Sequence, residues 1–162
     1  MTADSSVVEM ILDSDLKNVE AAEELVERVC KSVGFDEEDE HRIGMAVHES
    51  VINAIWHGNK NDSTKKVLLR IEVHDDRIEV HVKDQGQGFD LSQVANPLED
   101  QNLLKVSGRG IFLIRSFMDE FRVASAPGAG TEVVLVKRLH PRMDLSQGGT
   151  HREHEGHNTP SR

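Results

Sequence analysis

The chain has 162 residues, 37% hydrophobic and 30% charged, so it can form one ordinary domain with a packed core and a well-solvated surface. Its formal net charge of −10 disfavours a protein that binds nucleic acid directly, because such proteins usually present a basic surface to the phosphates. The single cysteine, Cys30, excludes an intrachain disulfide and favours a reducing compartment.

The first ten residues, MTADSSVVEM, have neither the basic start nor the apolar run of a secretory signal peptide. No stretch approaches the roughly 18 consecutive apolar residues of a membrane-spanning helix. We therefore expect a cytoplasmic protein that does not enter the membrane.

The N-terminal half predicts one strand and two helices. Residues 6–12 (SVVEMIL) have the composition of a strand. Apolar residues then recur at helical spacing from about Lys17 to Val33, and Gly34 follows where a C-cap glycine belongs. Asp36 can cap a second helix, which we expect to end at Gly58.

The C-terminal half predicts a hairpin, a helix and two more strands. Apolar and polar residues alternate over 67–73 and 77–83 around a short polar turn, which is typical of an antiparallel hairpin. The apolar run IFLIRSFMDEF predicts a helix over 111–121. The segments FRVAS and TEVVLVK, around residues 121–125 and 131–137, predict the last two strands.

One domain is expected over residues 1–139. Residues 140–162 have almost no apolar content, so we predict a disordered polar tail there. Histidines at positions 151, 154 and 157 could bind metal incidentally in this tail.

A polar stripe runs along the second predicted helix. Glu49, Asn53 and His57 are spaced by four residues and therefore lie on one side of it. Alone, this pattern is more typical of a solvated polar face. The neighbouring Ile52 and Trp56 are apolar, which instead favours a helix that is covered on more than one side.

Two glycine-containing segments follow in the chain. In DQGQGF (84–89), directly after the hairpin, the glycines permit close approach of the backbone to a ligand. In SGRG (107–110), glycines before a helix leave free N–H groups that bind anions well. Each segment alone is also consistent with a tight loop that binds nothing. The chain contains no P-loop, no complete dinucleotide fingerprint and no H-E-x-x-H zinc helix.

Together and in order, ESVINAIWHG, DQGQGF, SGRGIFLI and GAGTEV resemble the four ATP-site boxes of the GHKL (Bergerat-fold) ATPase superfamily. The chain is most similar to its anti-sigma factor serine-protein kinases, the partner-switching regulators of bacteria. The resemblance covers roughly residues 5–139. It implies an α+β two-layer sandwich, in which a mixed, mostly antiparallel sheet packs on helices.

The resemblance also implies roles for the residues that contact the nucleoside. Asp84 would accept a hydrogen bond from the exocyclic amine of adenine, and an ionised carboxylate suits this because it only accepts. Gly86, Gly88 and Phe89 would lie close to the base and ribose. Thr131, in the last box, would steady the site.

Other implied roles concern the phosphates. Asn53 would present its side-chain oxygen to Mg²⁺, and Glu49 would be the general base for a serine hydroxyl. A further set would cradle the phosphates or orient the site: Gly108, Arg109, Gly110 and His57. Arg109 could equally form a salt bridge of a lid, and we expect that lid over residues 90–107.

The family implies an ATP- and Mg²⁺-dependent protein serine kinase that is also an anti-sigma factor. It would bind a sigma factor and phosphorylate a STAS-type antagonist on serine, and the family leads us to expect a homodimer. A second hypothesis is a non-catalytic switch that binds ATP and partner proteins, although a carboxylate at position 49 favours catalysis. A structural protein without nucleotide would require all four boxes to be coincidental.

Overall fold

The computed structural model of the chain describes residues 5–88 and 109–140, apart from the side chain of Arg109. The predicted lid and the tail beyond His140 lie outside the described residues. The domain boundary near residue 139 therefore stays a prediction.

The N-terminal part contains one strand and two helices, as predicted. A short 3₁₀ turn precedes the first helix, and a π-helical turn continues the second one to the predicted glycine. In chain order the elements are β1 (Ser6–Asp13), the 3₁₀ turn (Leu16–Asn18), α1 (Val19–Val33), α2 (Glu37–Asn53) and the π-helical turn (Ala54–Gly58).

Both predicted helix caps are present. Gly34 has a φ of 99°, and its N–H donates to the carbonyl of Cys30 at 3.1 Å, so it ends α1 in the left-handed conformation. Asp36 Oδ1 accepts the N–H of Asp39 at 2.7 Å, which satisfies a free donor in the first turn of α2. Local sequence therefore accounts for where one helix stops and the next begins.

The C-terminal part contains the predicted hairpin and final strands. Its elements are β2 (Lys66–Val73), β3 (Arg77–Lys83), α3 (Arg109–Phe117), β4 (Glu120–Ser125) and β5 (Thr131–Arg138).

The predicted C-terminal end of α3 is wrong. The helix ends at Phe117 rather than at residue 121, and Phe121 already lies in β4, opposite Leu135 of β5. The N–H of Asp119 donates to the carbonyl of Val136 at 2.9 Å, so pairing with β5 takes the chain out of the helix. Strand pairing of this kind depends on a distant segment and leaves no mark on the local apolar pattern.

The described strands form one sheet in the order β1-β2-β3-β5-β4, and all of their pairings are antiparallel. Alternate apolar residues of β2 and β3 are buried on one face, against apolar residues of α1 and α2. The buried residues include Val67, Leu69, Ile71, Ile78, Val80, Val82, Ala22, Val26, Ile43, Val47 and Val51. This arrangement confirms the predicted α+β two-layer sandwich, although the described sheet is antiparallel throughout rather than mixed. Within residues 5–88 and 109–140, no helix has the length and apolar content to cross a membrane.

Candidate functional site

A cavity of about 220 Å³ lies where the C-terminal end of α2 approaches α3 and the ends of β3, β4 and β5. Most of its wall is apolar: Ala54, Val82, Ile111, Ile114, Phe121, Val123 and Val133. Polar residues also line the cavity: Ser50, Asn53, His57, Lys60, Asp84, Gln87 and Thr131. Apolar walls with a few convergent polar groups are typical of sites for small molecules and cofactors.

Asp84 is the most buried carboxylate of this cavity, with 6% of its surface exposed. Its Oδ1 accepts the backbone N–H groups of Gly86 at 2.9 Å and of Thr131 at 3.1 Å. Burial raises the pKa of Asp84 above its ordinary value, while these two backbone hydrogen bonds oppose the rise. In the described part of the chain, both hydrogen bonds to this carboxylate end on Oδ1. The other oxygen, Oδ2, accepts neither of these hydrogen bonds.

The end of the π-helical turn packs directly on this carboxylate. A Cβ atom at Gly58 would lie 2.1 Å from Asp84 Oδ2, and one at Gly86 would lie 2.2 Å from the carbonyl oxygen of Gly58. Real Cβ atoms are essentially never that close, so glycine is required at both positions. The first two predicted boxes therefore meet at this contact, although 26 positions separate Gly58 from Asp84 in the chain.

Asn59 joins three segments below the cavity and is fully buried. Its Nδ2 donates to Ser14 Oγ at 2.8 Å and to the carbonyl of Lys66 at 3.0 Å. Its Oδ1 accepts the backbone N–H of Gln85 at 2.8 Å. Asn59 therefore holds the loop that carries Asp84 against the end of β1 and the start of β2. Our sequence analysis missed it, because the surrounding NKND reads as a solvated turn.

The start of α3 packs against the polar stripe of α2. A Cβ atom at Gly110 would lie 2.7 Å from Glu49 Oε2 and 3.5 Å from Asn53 Nδ2. Glu49 and Asn53 are both partly buried, and α1 packs on another side of the same helix. The alternative of a solvated polar face is therefore wrong for Glu49 and Asn53, whereas His57, at the end of the stripe, is exposed.

The remaining predicted residues fall into two groups. His57 is exposed at the rim of the cavity, and Gly88 and Thr131 line the cavity near the β4–β5 turn. Phe89 and Gly108 lie outside the described residues. The backbone of Arg109 begins α3, but its side chain is not described.

Several lining residues were not predicted. Ser50 has a detectable signal, since it precedes Asn53 by three residues and His57 by seven and so shares their side of α2. Lys60 brings a cationic side chain to the cavity from a left-handed backbone conformation, with a φ of 52°. No sequence pattern singled out Lys60 among the neighbouring polar residues.

The donor set of this cavity fits a purine nucleotide with a hard cation. The buried, acceptor-only carboxylate of Asp84 suits an exocyclic amine, and the apolar wall suits a flat base. Glu49 and Asn53 lie near the start of α3, and each carries a side-chain oxygen of the type that Mg²⁺ prefers as a ligand. The backbone N–H groups of the first turn of a helix, such as those at the start of α3, suit phosphate oxygens.

Comparison with known sequences identifies the family. Residues 12–137 match the family described as histidine kinase-like ATPase domain. An anti-sigma F factor of Oceanobacillus iheyensis is 38% identical over 99 residues, which cover 60% of this chain and 68% of that protein. A serine-protein kinase RsbW of Bacillus licheniformis is 31% identical over 133 residues, which cover 78% and 81%. The RsbW of Bacillus subtilis is 31% identical over 118 residues, which cover 69% and 72%.

Solved structures share the fold. The RsbU and RsbW domains of Rv1364c from Mycobacterium tuberculosis superpose with a TM-score of 0.61 at 20% identity, over 82% of this chain and 32% of that chain. The blue-light activated histidine kinase of Erythrobacter litoralis gives a TM-score of 0.50 at 22% identity, over 75% and 59%. These likenesses concern the fold alone, but the match over residues 12–137 covers every strand and helix from the end of β1 to β5. The chain therefore belongs to the histidine kinase-like ATPase domain family, as its resemblance to the GHKL superfamily predicts.

Proposed function

We propose that this chain is an ATP-dependent protein serine kinase and anti-sigma factor of a bacterial cytoplasm. It binds a sigma factor and phosphorylates a STAS-type antagonist of that inhibition on serine. Relatives named anti-sigma F factor and serine-protein kinase support this, because they match most of the chain. The observation that carries the proposal is the contact between Gly110 at the start of α3 and the carboxylate of Glu49, beside the cavity that contains Asp84.

Asp84 holds the adenine by accepting a hydrogen bond from its amine. Thr131 and Gly86 orient the carboxylate for this through their backbone N–H groups. The glycines at positions 86 and 88, with Phe89, leave room for the base and ribose. ATP, when bound, would supply its γ-phosphoryl group to the serine oxygen, with ADP as the leaving group.

The phosphate end of the site uses the α2 stripe and the start of α3. Asn53 binds Mg²⁺ through its side-chain oxygen. The backbone around Gly108 and Gly110 binds the phosphates, Arg109 neutralises their charge, and His57 orients the site from the cavity rim. Glu49 accepts the proton of the incoming serine hydroxyl, a contribution typically on the order of 10²–10⁴ in rate.

The test is phosphoserine formation on STAS-domain proteins of the source cell, with the full chain and Mg-ATP. The Glu49→Gln variant keeps the size and polarity of the side chain but cannot take a proton. We expect it to bind ATP and the sigma factor normally and to form phosphoserine 10²–10⁴-fold more slowly, as expected for the loss of a general base. Glu24→Gln, on the exposed side of α1, is the matched control and should retain full activity.

The non-catalytic switch is the second candidate function, and the same assay separates it. If wild type forms no phosphoserine on any antagonist while ATP still controls release of a partner, the kinase proposal fails and the switch is correct. If ATP does not bind at all, both candidates fail.

A further inference from the structure

A cluster of histidine and glutamate side chains lies on the sheet face opposite the helices and the cavity. Glu72 of β2 and Glu79 of β3 are directly opposite each other in the strand register. His81 lies two residues beyond Glu79 on the same face of β3, and His74 follows β2 in the hairpin turn. All four side chains are largely buried, with 14–20% of their surface exposed.

The imidazoles approach both carboxylates without hydrogen bonding to them. His74 Nε2 lies 3.4 Å from Glu72 Oε2 and 3.6 Å from Glu79 Oε2. His81 Nε2 lies 3.8 Å from Glu72 Oε1 and 3.7 Å from Glu79 Oε2. Both Nε2 atoms are buried and have no hydrogen-bond partner within residues 5–88 and 109–140.

One feature of this arrangement is unfavourable for the protein alone. Arg70 and Arg77 offset the charges of the two facing carboxylates, but a buried polar nitrogen without a partner loses its hydration without compensation. A cation between the four side chains would remove this cost, since it would accept the imidazole lone pairs and attract the carboxylates.

The distances identify the kind of cation. Zn²⁺ binds histidine nitrogen and carboxylate oxygen at about 2.0–2.2 Å in a tetrahedron, so neighbouring ligand atoms lie about 3.3–3.6 Å apart. His74 Nε2 lies at about that spacing from Glu72 Oε2 and Glu79 Oε2, at 3.4 and 3.6 Å, and His81 Nε2 lies 3.7 Å from the same oxygen of Glu79. The ligand atoms of Glu72, His74 and Glu79 all lie within 4.8 Å of one another. We propose that Glu72, His74 and Glu79, with His81 as fourth ligand, form a Zn²⁺ site that ties the β2–β3 hairpin together.

Neighbouring side chains orient these ligands. His81 Nδ1 lies 3.0 Å from Glu132 Oε1, and because a carboxylate only accepts, Nδ1 is the donor, so that a neutral imidazole in this orientation offers its Nε2 lone pair to a metal. Arg70 Nη2 lies 2.9 Å from Glu72 Oε1, and Arg77 Nε lies 3.4 Å from Glu79 Oε1. These arginines engage one oxygen of each carboxylate and leave Oε2 directed toward His74.

The test is titration of the full chain with Zn²⁺ by calorimetry, after EDTA treatment and without nucleotide. The tail histidines could bind zinc on their own, so the reference protein carries the changes His151→Ala, His154→Ala and His157→Ala. We expect one Zn²⁺ per chain in this reference. His74→Ala and Glu79→Gln, each in the same background, should weaken binding by more than the roughly 10–100-fold typical of losing a second-shell partner.

Glu132→Gln tests the orienting role without removing a ligand. It should weaken Zn²⁺ binding by about 10–100-fold. Glu120→Gln, on the same sheet face in β4, is the matched control and should bind zinc normally. Thermal melting in EDTA establishes that each variant folds, and Zn²⁺ should raise the melting temperature of the reference but not of His74→Ala.

Two results would overturn the proposal. One is the absence of stoichiometric Zn²⁺ binding in the reference, which would leave the cluster as histidine–glutamate ion pairs only. The other is equal Zn²⁺ affinity in the reference, His74→Ala and Glu79→Gln. Visible absorption of the Co²⁺-substituted reference tests the geometry, because intense bands are expected for four ligands and weak bands for six.

Discussion

Gln85 donates its backbone N–H to the buried side-chain oxygen of Asn59 at 2.8 Å. This hydrogen bond connects the loop that carries Asp84 to the residue that follows the π-helical turn. Gln85 also accepts the N–H of Lys66 through its own side chain, at 2.6 Å. Asn59 and the neighbouring glycines therefore both determine where the candidate adenine-binding carboxylate lies.

Replacing Asn59 should therefore damage both the fold and the site. Asn59→Ala leaves the Gln85 N–H and the Lys66 carbonyl without their partner, and each buried group left unpaired costs about 1–3 kcal/mol. Urea unfolding should show the lower stability, and ATP affinity should fall because the Gln85 loop is no longer held. Ser63→Ala, in the exposed turn nearby, is the control. Equal unfolding midpoints for Asn59→Ala and wild type would contradict this role.

Asp84→Asn should abolish the response to ATP while the protein stays folded. The amide can keep the acceptor toward Gly86 and Thr131, but it places an NH₂ donor where the adenine amine needs an acceptor. A ligand at about 100 times its Kd stabilises a protein by about 2.7 kcal/mol, which gives a clear melting shift in wild type. The same ATP concentration should give no shift in the variant. An ATP-induced melting shift that persists in the variant would show that Asp84 does not bind the adenine base.

The raised pKa of Asp84 predicts a pH dependence for the nucleotide-free protein. A folded pKa above the ordinary value of 3.8 means that the folded state holds its proton more tightly, so this contribution to stability is complete at low pH and is lost as pH rises through the folded pKa. Asp84→Asn has no such loss. The stability of the variant relative to wild type should therefore increase from about pH 3.5 to neutral pH, as measured by urea unfolding. A constant difference across that range would mean that Asp84 is not perturbed.

The parts of this fold that local sequence determines could be predicted. The cap at Gly34 and the alternation in β2 and β3 depend on neighbouring residues, and the structure has both. The end of α3 could not be predicted, because Phe121 leaves the helix to pair with Leu135. The segment from Met118 to Phe121 is too short for its apolar spacing to distinguish the end of a helix from the start of a strand.

The candidate site likewise has some features that could be predicted from the sequence and others that could not. The order and spacing of the glycine boxes could be read from the sequence, and the structure brings Gly58 and Gly110 against the expected carboxylates. Asn59 could not be recognised, because its burial depends on the convergence of β1, β2 and the loop after β3. Lys60 reaches the cavity through a left-handed backbone conformation that lysine rarely adopts, so composition gave no reason to select it.

Cys30 should be chemically inert in the folded protein. It is fully buried in α1, and burial, with smaller contributions from Glu40 and Glu27, raises its pKa to about 12. Because the thiolate is the reactive form, iodoacetamide at pH 8 should label the folded chain far more slowly than the chain in denaturant. Mass spectrometry over time measures both rates. Fast labelling in native buffer would mean that α1 opens readily.

Gly110→Ala and Gly44→Ala are a matched pair that tests the contact between α3 and Glu49. Both glycines lie in helices, but a Cβ atom at Gly44 would have no neighbour within 4 Å, whereas one at Gly110 would lie 2.7 Å from Glu49 Oε2. Gly44→Ala should stabilise the protein by about 0.5–1 kcal/mol, because alanine is the better helix former, and should not change phosphorylation.

Gly110→Ala should instead displace the Glu49 carboxylate, since that end of the side chain can move while the α3 backbone cannot. We expect the rate of phosphoserine formation to fall toward that of Glu49→Gln, by on the order of 10²–10⁴, with the melting temperature almost unchanged. Single-turnover kinetics on an antagonist protein, alongside thermal melting, measure both quantities. Full activity in Gly110→Ala would show that the Glu49 carboxylate can leave this contact without cost, and that its position beside Gly110 is not the catalytic one.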